Sequence, residues 1–201
     1  MNKKTILSYS AGYFIAVIVI SVVLWAFAFD NITAPKKYQT LNLFITAEKC
    51  NVTLIEEKLS EIDGVKRVNA VSSSEKSNYY GEQLSTTGLI NSDVLILNLA
   101  SMPKKNLDVQ FAPLDGDVIK RYGLNAEDYT FFATEERNFG IIVYDKENGI
   151  DLFDGIIEFD ENEKFVLCLS SYRPNAVTNG TVKNTSDNAY IALSVLLSLS
   201  R

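Results

Sequence analysis

The chain opens with a long run of apolar and neutral residues. Positions 5–29 carry no charged side chain; Lys3 and Lys4 come directly before them, and Asp30 follows. A helix over these positions would be roughly 37 Å long, against about 30 Å for the hydrocarbon core of a bilayer. The pattern therefore predicts one transmembrane helix at residues 5–29, with the lipid bilayer as its partner.

The charges at the two ends of this run predict its direction. Lysines favour the cytoplasmic side, so residues 1–4 are expected to form a cytoplasmic tip and the chain beyond the helix to be extracytoplasmic. The localisation expected is the cell membrane, with a single pass. A second interpretation stays open, because Ala26-Phe27-Ala28 matches the cleavage pattern of a signal peptide that would be cut after Ala28. Both interpretations export the rest of the chain.

Beyond the apolar run, residues 30–38 read as a polar linker and residues 39–201 as one extracytoplasmic domain. Continuous apolar runs such as 94–99 are typical of buried strands, whereas stretches with apolar residues three or four apart are typical of helices packed on a sheet. The predicted strands are 38–47, 65–71, 94–99, 131–134, 139–145, 155–159 and 165–170, and the predicted helices are 51–62, 74–85, 113–123 and 187–199. This order predicts an α/β domain with a mixed, mainly parallel sheet and flanking helices.

Composition narrows the classes of function. Hydrophobic residues make up 47% of the 201 positions and charged residues 22%, which suits a packed domain with a soluble surface. The net charge of −6 and the lack of a basic cluster argue against a nucleic-acid partner. Histidine is absent, which excludes Ser-His-Asp triads and histidine-based zinc sites. We therefore predict no enzyme activity, no catalytic residues and no cofactor.

Polar residues follow the predicted parallel strands, where the loops of open α/β sheets bind ligands. Thr46 and Glu48 follow the first strand, and Asn98 and Ser101 follow the third. Tyr80 offers an aromatic face on which a sugar ring could stack. These five residues are the predicted ligand-binding site for a small polar solute such as a sugar, amino acid or peptide. The competing interpretation is that they are ordinary loop and packing residues.

An acidic stretch and two cysteines have the residue types of a metal site and of a disulfide. The acidic stretch at 145–163 lacks the glycine and glutamate spacing of a calcium-binding loop, so no metal site is predicted. Cys50 begins a predicted helix and Cys168 lies in a predicted strand. The sequence leaves open whether they form a disulfide or remain two buried thiols.

Four stretches carry a resemblance to a known family: TLNLFITAEKC, INSDVLILNLA, FGIIVYDKENG and NTSDNAYIALSVLL. Together they resemble the extracytoplasmic solute-binding proteins of bacterial ABC transporters, in particular short membrane-anchored relatives. The resemblance implies a solute-binding-like domain accessory to a transporter or sensor, with a transporter permease or envelope complex as partner. The exported part is shorter than the usual two-lobed form, and the cysteine of a lipoprotein anchor is missing.

A different partner is implied by a second, shorter stretch. LIEEKLSEIDGVKRVNAVSSSE is similar to the extracellular domain of a cell-division permease-like protein family. The alternative function is accordingly a structural or interaction protein of the cell envelope, which docks another membrane component without a small-molecule ligand.

Overall fold

The first compact unit, Met1–Lys36, is dominated by a single helix. The structure is a computed structural model that describes residues 3–102, 106–134, 137–172 and 188–199. Helix α1 covers Lys3–Thr33, four residues beyond the predicted end, and stops just before Pro35, which disfavours helix in the residue preceding it. Its Ala11–Phe29 stretch has a mean hydropathy of 2.5 and buries none of its surface in the protein. By length and composition this helix can cross a membrane.

The second unit, Lys37–Arg201, contains the other helices and all the strands that the structure describes. In chain order these elements are β1 (Thr40–Thr46), β2 (Lys49–Cys50), α2 (Val52–Ser60), β3 (Arg67–Ser73), α3 (Tyr80–Gln83), α4 (Leu89–Asn91), β4 (Val94–Asn98), α5 (Leu107–Gln110), α6 (Gly116–Arg121), β5 (Phe131–Ala133), β6 (Asn138–Asp145), β7 (Ile150–Asp151), β8 (Ile157–Glu158), β9 (Phe165–Leu169) and α7 (Asn188–Ser198).

The strands form one large sheet and one small ribbon. The large sheet has the order β3-β1-β4-β9-β6-β5, with β7 paired to β6, and the ribbon consists of β2 and β8. Strand β1 is parallel to β3 and to β4, whereas β9 is antiparallel to both of its neighbours. The predicted α/β class with a mixed sheet and one N-terminal apolar helix is confirmed.

The expectation of a mainly parallel sheet is not confirmed. Within the described chain, two of the six pairings of the large sheet are parallel. Two of the antiparallel pairings come from β9, which inserts between β4 and β6 with Phe165 opposite Asn98. All five residues of β9 are buried. A continuous apolar run shows that a strand is buried, but it does not show which way the strand runs.

The first part of the domain folds as a strand–helix–strand unit, as the sequence predicts. The side chain of Asn51 accepts a hydrogen bond from the backbone N–H of Leu54 at 3.2 Å and so caps α2. Ile55 and Leu59, one helical turn apart, are fully buried. Gly64 then turns the chain with a φ of +87°, a conformation that favours glycine. Helix α2 therefore packs on the sheet beside β3.

Side chains of the strands alternate between two cores, one on each face of the sheet. Leu41, Leu43 and Ile45 of β1 pack with residues of α2 and α7. Phe44, from the same strand, packs on the opposite face with Tyr80 and with residues of β4 and β9. Helices or loops thus cover both faces, which explains why the strand sequences are almost continuously apolar.

Two predicted elements need correction. The polar stretch predicted as a helix over 74–85 forms only the short α3, followed by a π-type turn over Leu84–Gly88 and by α4. The strand predicted over 155–159 shrinks to the two residues of β8, which pair with β2 outside the large sheet. Gly155, with a φ of +74°, is part of the turn that precedes it. The predicted closing helix is present as α7.

Candidate functional site

The predicted site residues lie where the parallel strands β3, β1 and β4 end. Strand β3 lies on one side of β1 and β4 on the other. The connection that follows β1 and the connection that follows β4 therefore leave the sheet in opposite directions. Such a switch point opens a crevice at the carboxyl ends of the strands. Thr46 ends β1 and lines this crevice, and Asn98 ends the neighbouring strand β4.

Thr46 and Tyr80 meet directly. The Thr46 Oγ1 and Tyr80 Oη atoms are 3.0 Å apart in a buried hydrogen bond. The ring of Tyr80 packs against Phe44, with ring centroids 6.3 Å apart. Burial raises the pKa of the Tyr80 phenol, while the hydroxyls of Thr46 and Ser101 act in the opposite direction. Tyr80 is therefore a neutral hydroxyl group buried against Thr46 and Phe44, and its neighbour Tyr79 is exposed.

Asn98 organises the loop after β4. Its amide nitrogen donates to Glu75 Oε2 at 2.6 Å, and its side-chain oxygen accepts from the backbone N–H of Ala100 at 2.8 Å. The hydroxyl of Ser101 donates to the Asn98 carbonyl at 3.0 Å. Asn98 itself is 3% exposed, so these bonds satisfy polar atoms that water does not reach.

Glu48 belongs to a charged bridge across the mouth of the crevice. Lys76 Nζ lies 3.2 Å from Glu48 Oε2 and 3.2 Å from Asp160 Oδ2. Ser74 Oγ donates to the other oxygen of Glu48 at 3.0 Å. Hydrogen bonds to Asp160 and to Glu48 raise the pKa of Lys76. The backbone N–H of Asn162 and then Lys76 lower the pKa of Asp160. Both shifts favour the charged forms of Lys76 and Asp160.

The open part of the crevice, which we call the switch-point cleft, is small. It encloses about 160 Å³ and is bordered by Thr46, Glu48, Glu75, Lys76, Asp160 and Glu163, with Ala47 and Phe165. Drug-sized and cofactor-sized ligands usually occupy roughly 300–1,000 Å³. Its polar side chains bond mainly to one another. The arrangement can offer hydrogen bonds and a negative field to a small group.

The structure brings all five predicted residues to one edge of the sheet: Thr46 meets Tyr80, Asn98 meets Ser101, and Glu48 reaches Lys76. Sequence reasoning missed Glu75 and Lys76, which directly follow β3 and could have been found by the same strand-end rule. It also missed Asp160, which lies after the ribbon strand β8 and carries no local signal of its position.

Two further expectations concern cysteine and metal. Cys50 and Cys168 are both free thiols, half-buried and buried respectively. Burial raises the pKa of Cys50 to about 11 and also raises that of Cys168. Within the described ranges, no group of three or more cysteine or acidic side chains is arranged to hold a metal ion.

Comparison with known protein families, with curated proteins and with solved structures gives no match to this chain.

Proposed function

We propose that the chain is a membrane-anchored accessory module, which presents a single solute-binding-like lobe outside the cell beside a transporter or sensor. The observation that carries the proposal is the position of Thr46 and the charged bridge of Glu48 in the lining of the switch-point cleft, at the carboxyl end of β1. Tyr80 supports Thr46 and Asn98 supports Glu75 by hydrogen bonds from behind this lining. Open α/β sheets bind ligands at this position, because loops from several strands converge there. The apolar helix α1 supplies the anchor.

We propose the chemical class of the solute from the charge and size of the cleft. Three carboxylates besides Glu48 border it, namely Glu75, Asp160 and Glu163, against the single ammonium of Lys76. A small, neutral or zwitterionic molecule with several hydroxyl or amino groups suits these partners better than an anion does. Because the strands and the helices that follow α1 belong to one unit, the proposal assigns to the partner membrane protein the role that a second lobe plays in two-lobed binding proteins.

Thermal unfolding of residues 37–201 tests this function. The two cores of this unit contain only its own residues, so the fragment is expected to fold without α1. A panel of sugars, amino acids and short peptides should include a compound that raises the melting temperature. Saturation at about one hundred times Kd would add about 2.7 kcal/mol to the free energy of unfolding.

A matched pair of variants assigns any such effect to the cleft. Thr46→Val keeps the side-chain shape and removes the hydrogen bond to Tyr80, so it should weaken the ligand-induced shift. Glu57→Gln on α2 borders no part of the cleft and should leave the shift unchanged. A full panel without a shift would count against solute binding by the isolated lobe.

A second function is favoured by one specific observation. The cleft is smaller than most ligand sites, and Thr46, Glu48, Glu75, Lys76 and Asp160 in its lining already have partners within the protein. Such a cleft suits a surface that docks another protein. A photo-crosslinking amino acid at Glu163, in the full-length protein in membranes, should then capture one membrane component. The same group at Glu57 is the control. Equal capture at both positions would contradict docking at the cleft.

A further inference from the structure

A larger groove lies beside the β2–β8 ribbon and shares no lining residue with the switch-point cleft. It encloses about 530 Å³, within the usual range of small-molecule sites. Its base is apolar and aromatic: Tyr144, Ile157 and Phe159 line it and are each at least nine-tenths buried. The rings of Tyr144 and Phe159 pack at a centroid distance of 5.1 Å. This volume and base suit an organic molecule of several carbon atoms.

The rim of the groove is strongly negative. Asp151, Asp154, Glu158 and Glu161 line it, and Lys49 is the one cation among its lining residues. Four carboxylates against one ammonium leave a local excess of negative charge. A low-dielectric aromatic base beneath such a rim concentrates its field on a bound cation.

Two of these carboxylates are already paired. Lys49 Nζ lies 2.8 Å from Glu158 Oε2, and Lys146 pairs with Glu161. Asp151 and Asp154 are different, because neither forms an ion pair with any lysine or arginine that the structure describes. Asp151 accepts only the backbone N–H of Phe153, at 3.2 Å. Burial raises the pKa of Asp151, and the negative charge of Asp154 adds to this rise.

Tyr144 presents a hydrogen-bonding group to the groove. Its side chain is nine-tenths buried and lines the groove, but its hydroxyl oxygen is accessible and is not one of the enclosed polar atoms of the core. This hydroxyl forms no hydrogen bond with any residue described in the structure, whereas the Tyr80 hydroxyl bonds to Thr46. It is therefore free to bond to a ligand in the groove, while the ring offers its face to a cation.

We infer that this groove binds a small organic cation, whose ammonium group lies between Asp151 and Asp154 and whose carbon chain lies on Tyr144 and Phe159. An organic cation fits better than a metal ion, because the described acidic side chains form no three-membered cluster able to coordinate one. The aromatic base would also offer nothing to a hard divalent ion. This inference stands apart from the function proposed for the cleft and does not depend on it.

Calorimetric titration of residues 37–201 with three matched probes tests the inference. The probes are butylammonium, 1-butanol and butyrate, which share a carbon chain and differ in charge. Butylammonium should bind, with an affinity that falls as salt is raised, and the other two should bind at least about ten-fold more weakly. Equal binding of all three probes, or no binding of butylammonium, would overturn the inference.

Variants locate the binding and separate it from stability. Asp151→Asn with Asp154→Asn should lower the affinity for butylammonium about ten-fold or more, without lowering the melting temperature. Lys49→Gln should raise the affinity about two- to five-fold, because Glu158 loses its partner. Thr46→Val, in the other site, should change nothing. If the double variant bound as well as the wild type, the groove would not be the site, whatever the cleft binds.

Discussion

At the scale of single residues, Gly140 marks a close approach of two neighbouring strands, β6 and β9. Gly140 of β6 faces β9 where that strand passes deepest in the sheet. A Cβ atom at position 140 would lie 2.3 Å from Val166 Cγ1 and 2.7 Å from Cys168 Sγ. Both distances are shorter than a Cβ contact allows, and both neighbours are fully buried. Glycine at this position is therefore a packing requirement.

Gly140→Ala should cost roughly 1–3 kcal/mol of unfolding free energy, the usual range for overpacking a core. Urea denaturation of residues 37–201 measures it. Gly81→Ala is the matched control, since position 81 lies in α3 and has no neighbouring atom within 4 Å of a new Cβ. That control should keep or slightly gain stability, because alanine favours helix more than glycine does. Equal loss in both variants would refute the steric explanation.

The charged bridge predicts a specific pH dependence. The pKa of Asp160 is lowered by the Asn162 backbone N–H and by Lys76, so its carboxylate stabilises the fold above its unfolded pKa of about 3.9. That contribution is lost as pH falls through the folded pKa. Asp160→Asn should therefore be less stable than the wild type at pH 7, and the difference should shrink below about pH 4.

Urea denaturation at several pH values measures this difference. In a Lys76→Met background, the effect of Asp160→Asn at pH 7 should be smaller, because one of the groups that lowers the pKa is gone. A difference between the wild type and Asp160→Asn that stays constant from pH 7 to pH 2.5 would show that the Asp160 charge does not contribute to stability.

At the scale of elements, the edge of the large sheet is protected by a helix. Strand β3 is the first strand of the sheet order, so one of its sides has no strand neighbour. The backbone N–H of Ala70 in this strand donates to Glu56 Oε1 of α2 at 2.9 Å. A side chain thus occupies a donor that another chain could otherwise pair with. The bond ties α2 to the edge, so we expect it to oppose the addition of a further strand at Ala70.

Glu56→Ala should lower stability by about 0.5–1.5 kcal/mol, the usual worth of such a bond, and should increase self-association at high concentration. Denaturation and light scattering after gel filtration measure the two effects. Glu57→Ala is the control, because it changes the same helix at an exposed neighbouring position. Identical behaviour of the two variants would mean that Glu56 has no special role at the edge.

Elements also show which parts of the fold were predictable. Strands β1, β4 and β9 are long apolar runs, and α2 has a capped, striped pattern, so each was found from the sequence within a few residues. The two-residue strand β2 is too short to produce a pattern, and β8 was predicted longer than it is. The direction of β9 depends on its neighbours in space, which its own residues do not encode. The strand-end rule located Thr46 and Asn98, but Asp160 reaches the cleft only because β8 pairs with β2.

At the scale of the whole molecule, the function proposed for the cleft requires that the domain lies outside the cell. The sequence argument for this is the pair of lysines at the start of α1. The low reactivity expected of the two native thiols allows a cysteine-labelling test of the topology. The thiolate is the reactive form of cysteine, and burial raises the pKa of Cys50 to about 11 and also that of Cys168. Both should react slowly with a maleimide at neutral pH.

A cysteine introduced at the exposed position Glu127 (Glu127→Cys) should therefore react with a membrane-impermeant maleimide in intact cells, whereas Asn2→Cys should react only after lysis. The mass of the labelled Glu127→Cys protein separates the two interpretations of α1, since cleavage after Ala28 would remove the first 28 residues. The reverse pattern, with Asn2→Cys labelled in intact cells and Glu127→Cys protected, would place the domain in the cytoplasm. An organic cation or solute reaching either site would then have to come from inside the cell, and the accessory role beside an importer would fail.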